Sequence, residues 1–384
     1  MKILISSTYF HPYSSGLSVY ALRLAEGLAD LGHEVVVLTS QYEKKLALQE
    51  SFGKSQIVRM PVNFRLSKGV IMPTLPGIAR KWIGWADIVN LHLPQFEAFI
   101  LSKIAAGLGK PVVVTYHCDL VMSGGIINKL AGKVTTALSK NTLDNAALIV
   151  QNSLDYAENS PVLSRYLENV VESPTPITVK TVTKERTKQF RSDHGITETD
   201  KVIGLAGRVA TEKGYEYLAM ALPKILDRYP NARVVHAGAW KSVIGERAYQ
   251  EQLEEFIKPF GQKWQSLGFL SDEEFEAFFS VCDLLVFSSL NATESFGIVQ
   301  LEAMSQGTPI VASNLPGVRQ PVIRTGLGEI IPIRNADAIA EAVISILDKG
   351  EKARFVPADF LADFQQKAVA QRYEAWMEAI ISDE

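Results

Sequence analysis

Short runs of β-branched and aliphatic residues return along the whole chain, and this alternation limits the fold more than any other feature. "KILISS", "EVVVLTS", "QIVRMP", "ADIVNLH", "PVVVTYH" and "ALIVQNS" follow one another in the first half. Between the first two lies an amphipathic stretch, Leu17 to Leu31. Runs that are apolar throughout fit strands buried on both faces, and helical patterns between them fit a parallel sheet. The second half repeats the scheme with "KVIGLAG", "ARVVHAG", "WQSLGF", "DLLVFSS", "TPIVAS" and "GEIIPI". Helical patterns there fall near 214–228, 248–258, 272–280, 297–306 and 335–348. The fold class is α/β, with two doubly wound, Rossmann-like domains.

The pattern breaks between Glu172 and Asp200. "ESPTPITVKTVTKERTKQF" opens with two prolines and becomes a charged run, which reads as a linker. The expected domains are residues 1–178 and 179–358, followed by a terminal segment, 359–384, that is largely one helix, about Asp359 to Ile381. A length of 384 residues also favours two cores over one. Two such sheets facing one another make a cleft where their C-terminal strand edges meet, the usual ligand position in these folds.

Composition narrows the setting. A hydrophobic fraction of 47% with 21% charged residues is that of a globular protein, and no apolar run has the length of a membrane span. "MKILISSTYFHPY" reads as a first strand rather than a signal peptide, so a cytoplasmic setting is expected. Cys118 and Cys282 make no disulfide framework. Residues 1–180 carry 17 Lys/Arg against 13 Asp/Glu, whereas residues 181–384 carry 22 against 29. A basic first half hints at an anionic partner, although chance would produce the same imbalance. No nucleic-acid partner is expected.

Two stretches concentrate chemistry. In "GLAGRVATEKGYEYL", a strand ends in small residues, and Arg208 and Lys213 follow on the loop and on the start of the next helix. A planar fork and a point charge at a strand end form an anion site. Solvated loop cations are the plain alternative; Gly207 before Arg208 and Gly214 after Lys213 favour phosphate, because glycine lets a ligand approach the backbone. In "NATESFGIVQLEAMSQG", Ser295 reads as a helix N-cap, which would leave the amides of Phe296, Gly297 and Ile298 for a ligand. Glu294 precedes that helix, and Glu302 lies about two turns on, roughly 12 Å along the axis. An acid at each end of such a span suits a ligand with hydroxyls at both ends and phosphates between, the layout of a nucleotide sugar. Glu302 also fits an exposed helix position.

These residues resemble the retaining glycosyltransferases of the GT-B fold, and specifically glycosyltransferase family four. The likeness covers nearly the whole chain and is strongest from Gly204 to Glu329, where "ESFGIVQLE" supplies a Glu-x7-Glu pair and "GRVATEKG" the Arg and Lys. The resemblance implies that Glu302 holds ribose hydroxyls and that Glu294, with the backbone of Ser295 to Gly297, holds the donor sugar. It assigns the diphosphate to Arg208 and Lys213, and implies that the last helix returns to pack on the first domain. Gly16, in the loop region after the first strand, matches a donor contact where the family usually has adjacent glycines. His117, at the end of "VVVTYH", matches a histidine near the transferred sugar; taken alone, a strand-end His is more often structural. Asp119 is a candidate to orient it. "HAGAW" keeps Gly238 of the family's Gly-x-Gly-Pro and puts Trp240 in place of a small residue.

No Asp-x-Asp, zinc-spaced His/Cys cluster or Gly-x-Gly-x-x-Gly after the first strand appears, so neither a metal nor a cofactor is expected. Catalytic work is assigned to His117, Glu294, Arg208 and Lys213. No carboxylate is placed as a nucleophile, and the resemblance implies a front-face route assisted by the leaving phosphate. Closure of the two domains would exclude water. The acceptor is a glycan, a lipid-linked sugar or a small molecule. In "GGIINKLAGKVTTALSK", Lys129, Lys133 and Lys140 fall within about 40° of one another on a helix. With Arg80, Lys81, Trp82 and Trp85 they suit peripheral contact with an anionic membrane surface, or simply a wet helix face. A hydrolysing nucleotide-sugar epimerase and a non-catalytic nucleotide-sugar binding protein remain as alternatives.

Overall fold

A computed structural model describes residues 1–66, 69–120, 126–178, 180–241, 243 and 245–382. The chain forms two compact units, Met1–Ile177 with Asp363–Glu384, and Thr178–Ala362.

The first unit holds β1 (Lys2–Ser6), β2 (Glu34–Gln41), β3 (Gln49–Phe52), β4 (Ser55–Pro61), the hairpin β5 (Phe64–Leu66) and β6 (Gly69–Ile71), then β7 (Ile88–Leu93), β8 (Val112–Tyr116), β9 (Leu148–Gln151) and β10 (Val170–Glu172). The sheet order is β10-β9-β8-β7-β1-β2-β4-β3, parallel except for β3. Its helices are α1 (Gly16–Asp30), α2 (Leu75–Trp85), α3 (Ala98–Gly107), α4 (Ile126–Asp144) and α5 (Leu154–Asn159). Every residue of β7 and β8 is buried, and the polar ones, Asn90, His92 and Thr115, are hydrogen-bonded to one another.

The second unit starts with α6 (Lys184–Asp193). Then come β11 (Lys201–Ala206), α7 (Tyr215–Arg228), β12 (Ala232–Ala237), α8 (Arg247–Ile257), β13 (Trp264–Gly268), α9 (Asp272–Val281) and β14 (Leu284–Phe287). It continues with α10 (Ile298–Ser305), β15 (Ile310–Ser313), α11 (Gln320–Thr325), β16 (Gly328–Ile331), α12 (Ala336–Lys349) and α13 (Ala358–Ala362). All six strands are parallel, in the order β13-β12-β11-β14-β15-β16. This is the dinucleotide-fold order, which turns back on itself between its first and fourth strands.

Two expectations need correcting. The charged run read as a linker contains α6, capped by Thr183, whose hydroxyl accepts from the Arg186 amide at 3.2 Å. One apolar residue decides this: Phe190 is buried beside Phe278 and Phe279 of α9, and Thr187 and Ser280 share a hydroxyl hydrogen bond at 3.0 Å. The terminal segment is two helices rather than one. Between α13 and α14 (Gln366–Ser382), Phe364 is buried, the Ile177 amide donates to its carbonyl at 2.8 Å, and the Gln366 amide returns a bond to Ile177. The break is where the returning chain pairs with the segment that leaves the first unit.

Helix α14 packs on α1. Tyr20 and Tyr373 meet hydroxyl to hydroxyl at 2.9 Å, and His33 Nε2 lies 2.8 Å from Glu374. The close approach depends on Gly27: a Cβ there would stand 2.8 Å from Ala370 Cβ and 3.1 Å from the Gln366 carbonyl oxygen. Gly27→Val is therefore expected to cost about 1–3 kcal/mol by overpacking, despite valine's better helix propensity than glycine's. Urea unfolding measures this, and unchanged stability would mean that α14 is not held at that distance.

Candidate active site

Parallel sheets bind ligands at the carboxyl ends of their strands, where neighbouring connections leave in opposite directions. In the second unit that point lies between β11 and β14, and both sequence-predicted clusters sit on the loops that leave it. Lys213 ends a 3-10 turn, Thr211–Lys213, after β11. Its Nζ is 2.6 Å from Glu294 Oε2, on the loop after β14, and 5.1 Å from the Phe287 ring centre. Arg208 holds Glu212 Oε1 at 2.6 Å. The Ser288 hydroxyl bonds to the carbonyls of Lys213 and Gly214, and the Leu290 amide donates to the Glu212 carbonyl at 2.8 Å, so the two loops are stitched together.

The floor is a close backbone contact. Gly207 and Gly238 have φ of 122° and 142°, and a Cβ on Gly238 would lie 2.1 Å from the Gly207 oxygen. His236 supports that oxygen through Nε2 at 2.7 Å. Burial pushes His236 down to about 4, so its ring is neutral, and Nε2–H donates while Nδ1 takes the Ser266 hydroxyl at 3.1 Å. Tyr215 donates its phenol to the Ala206 carbonyl at 3.3 Å; burial, then the carboxylates of Glu294 and Glu212, raise its pKa. Trp240 packs edge-on to His236 and donates to Glu254 at 3.0 Å, walling a cavity of about 620 Å³ that Trp264, Ser266, Gly268 and Phe269 also line.

The helix start differs from expectation. Ser295 is not the N-cap. Ser295 and Phe296 are buried, and the chain turns through Gly297 at φ 87°, so α10 begins at Ile298 with Gly297 as a cap that makes no side-chain bond. A Cβ on Gly297 would meet the Phe287 ring at 2.6 Å. The cap moves two positions, from Ser295 to Gly297, so the first-turn amides are those of Ile298 and Val299. Glu302 is half-buried on α10 between buried Leu301 and Ala303. It lies about one turn, roughly 6 Å, from the helix start rather than two turns from Glu294, because residues 294–297 are not helical.

In the first unit, Gly16 opens α1 behind Ser15, which forms a reciprocal capping box with Ser18. His117 follows β8. Its Nε2 lies 2.9 Å from His92 Nδ1 at the end of β7, and the edge of Tyr20 faces its ring. His92 Nε2 reaches Asn90 Oδ1 at 2.7 Å. Burial pushes His117 down to about 3. Asp119 does not orient His117: its oxygens take the hydroxyls of Tyr116, Ser160 and Tyr156 at 2.8, 2.9 and 3.1 Å. The first sheet reverses between β1 and β7, where Thr8 donates to Glu97 at 2.9 Å and Gln95 to Ser6 at 3.0 Å. Glu97 is buried, which raises its pKa, and its Oε1 has no partner among the described residues. His92, Glu97 and Glu212 escaped the sequence reading. A "HLP" strand end paired with a "TYH" strand end would have been the signal for the first.

Residues 14–159 match the family model for Glycosyltransferase Family 4, and residues 186–356 match that for Glycosyl transferases group 1. The chain belongs to glycosyltransferase family 4. This family 4 glycosyltransferase has the GT-B fold. It is 26% identical over 369 residues to the phosphatidyl-myo-inositol mannosyltransferase of Mycolicibacterium smegmatis, covering 91% of this chain and 85% of that protein. It is 24% identical to the 2-deoxystreptamine N-acetyl-D-glucosaminyltransferase of Streptomyces fradiae, covering 94% and 90%. Among solved structures, the Anabaena Alr3699/HepE complex with UDP and glucose superposes with a TM-score of 0.76 at 18% identity, covering 99% of this chain and 100% of that one.

Among the described residues, no three His, Cys, Asp or Glu side chains come together as a metal site. No helix among them is long and apolar enough to cross a membrane.

The Gly207–Gly238 contact makes a direct prediction. Gly238→Ala forces a side chain onto a carbonyl at a backbone angle that alanine avoids, and is expected to cost about 1–3 kcal/mol. Denaturant unfolding checks it, and a neutral effect would show that the two backbones have room to part.

Proposed function

We propose that this glycosyltransferase moves a sugar from a nucleoside-diphosphate donor with retention of configuration. The observation that carries the reading is the pair of cations at the β11–β14 reversal, each already holding a carboxylate oxygen at 2.6 Å. Two cations that hold two carboxylates have the charge and the donors to hold a diphosphate. The donor would take Arg208 and Lys213 from Glu212 and Glu294. Glu294, once released, becomes an acceptor for sugar hydroxyls, with the backbone of Ser295, Phe296, Gly297 and Ile298 beside it. Glu302 takes ribose hydroxyls, and Gly207 and Gly238 allow the phosphates close to the backbone. On the first unit, Gly16 and His117 are the donor-side contacts.

The reaction follows from that placement. The bond between the anomeric carbon and the β-phosphate oxygen breaks, and both electrons go to that oxygen. Arg208, Lys213 and the first-turn amides of α10 stabilise the charge as it develops. The acceptor hydroxyl attacks the face that the phosphate leaves, and its proton passes to the departing phosphate. Donor complexes of the Anabaena neighbour and the transferase names of the relatives support this reading.

The acceptor is a glycan, a lipid-linked sugar or a small molecule. Peripheral contact with an anionic membrane from the cytoplasmic side belongs to the same proposal. Lys133, Arg80 and Lys81 are exposed, and Lys81 Nζ lies 5.0 Å from the Trp82 ring centre; the side chain of Lys129 falls outside the described residues.

Arg208→Ala and Lys213→Ala are each expected to lower transfer about 10²–10³-fold, the loss typical of one oxyanion donor. Product analysis with radiolabelled nucleotide sugars decides the class. Free sugar alone would indicate a hydrolysing epimerase, and binding without turnover a binding protein.

The reading also needs no metal or cofactor, because side-chain cations neutralise the diphosphate. Transfer should persist undiminished in excess chelator; activity that vanishes and returns with magnesium or manganese would refute that account of the leaving group.

A further inference from the structure

We propose that His92 is a positioning residue that holds His117 as its Nε2–H tautomer and leaves the Nδ1 lone pair as the acceptor of that ring. The inference rests on the reading above, in which His117 meets the donor sugar.

The hydrogen bonds fix each proton in turn. Asn90 Nδ2 lies 3.2 Å from the Val113 carbonyl oxygen and 3.0 Å from Thr115 Oγ1. A carbonyl only accepts, so Asn90 Nδ2 is correctly placed as the donor and Oδ1 is the acceptor. His92 Nε2, 2.7 Å from Oδ1, must therefore carry a hydrogen. His92 is fully buried, and burial together with the neighbouring His117 pushes it well below the usual imidazole range. A neutral ring has one N–H, so His92 Nδ1 is bare and can only accept. Facing it at 2.9 Å is His117 Nε2, which must donate. His117 is also held neutral by burial, so its single proton is spent inward. Its Nδ1 keeps a lone pair and has no side-chain partner in the hydrogen bonds of the described residues.

The far end of this chain is anchored by the last helix. Thr115 Oγ1 lies 2.9 Å from Tyr373 OH on α14, and Tyr373 OH lies 2.9 Å from Tyr20 OH on α1. Register places Thr115 opposite His92 on the neighbouring strand, so β7, β8 and α14 together set the ring that follows β8. A His117 so held offers a sugar hydroxyl an acceptor and never a donor. Loss of His92 would free His117 to take the other tautomer, which presents N–H where the hydroxyl's own hydrogen points.

The experiment reads the tautomer without any donor. Two-bond 1H–15N spectra of histidine-labelled protein, assigned with His117→Gln, should show the neutral His117 ring with Nε2 protonated and Nδ1 bare. His92→Phe should convert that signal to a tautomer mixture and lower kcat about 10–100-fold, with donor KM within about threefold. His92→Asn keeps a polar atom near the position of Nδ1 and should recover most of the signal and the rate. A wild-type His117 that is charged or protonated on Nδ1 overturns the inference, whether or not transfer is observed. So does a folded His92→Phe protein with an unchanged His117 spectrum. If His92→Phe does not fold, the wild-type spectrum and the Asn variant decide. A wild-type protein with the stated tautomer and no transfer from any nucleotide sugar would sink the functional reading and leave the tautomer assignment standing.

Discussion

Between β11 and β14 the second sheet changes direction, and Lys213 and Glu294 join the two loops that leave that point at 2.6 Å. Both side chains are mostly buried there, at 15% and 20% exposure, so neither charge is well screened by water. An unpaired cation in such a place would carry a desolvation penalty. The pairings Lys213–Glu294 and Arg208–Glu212 relieve it and keep the cations in place without a ligand. The same pairing sets a threshold: an incoming anion must offer both cations more than two carboxylates already do. In the proposed function, a diphosphate would bring the same total charge as the two carboxylates on one connected group that reaches both cations, and each displaced carboxylate could turn to a hydroxyl.

The first unit places its chemistry by the same topology but with different material. Its reversal lies between β1 and β7, and the groups tied across it are hydroxyls, an amide and one buried carboxyl, Ser6, Thr8, Gln95 and Glu97, rather than an ion pair. Helix α14 belongs to this unit although it follows the second in sequence. Its Tyr373 reaches a strand hydroxyl directly behind the histidine pair, so the end of the chain is part of what orients His117. The Gly27–Ala370 approach is what brings that tyrosine within reach.

How far the sequence revealed this depends on the scale of each feature. The buried strands were legible because a run such as "VVVTY" is β-branched and aromatic and suits a strand buried on both faces. Arg208, Lys213, Glu294 and Glu302 stood out as candidates because they break an otherwise small and apolar pattern, and the structure brings Lys213 and Glu294 together. The start of α10 was misread because Ser295 looks like a cap, whereas the ring of Phe296 decides where the backbone turns, and its burial is tertiary. The same holds for α6, placed by one phenylalanine within a polar run, and for the break before α14, placed by Phe364. The hairpin of β5 and β6 and the edge strand β3 are too short and polar to carry a pattern. The His117–His92 contact was beyond local reading altogether: the two residues lie 25 apart, and only the pairing of β7 with β8 makes them neighbours.

Both units use buried histidine as a neutral spacer rather than as a charge. His236 in the second unit supports the Gly207 carbonyl, and His92 in the first supports His117; burial lowers the pKa of each. A proton gained by either ring would place a charge in a buried interior, where the rings' hydrogen-bond partners among the described residues include no carboxylate, which is why burial wins over protonation. The charge of the candidate donor site is thereby left to Arg208 and Lys213, each paired with a carboxylate. Charge recognition and hydrogen-bond orientation are thus assigned to different residue types. In the proposed function, the phosphate contacts would depend on exchange of the ion pairs at the β11–β14 reversal, and the orientation of polar contacts on which nitrogen of a buried imidazole carries its proton.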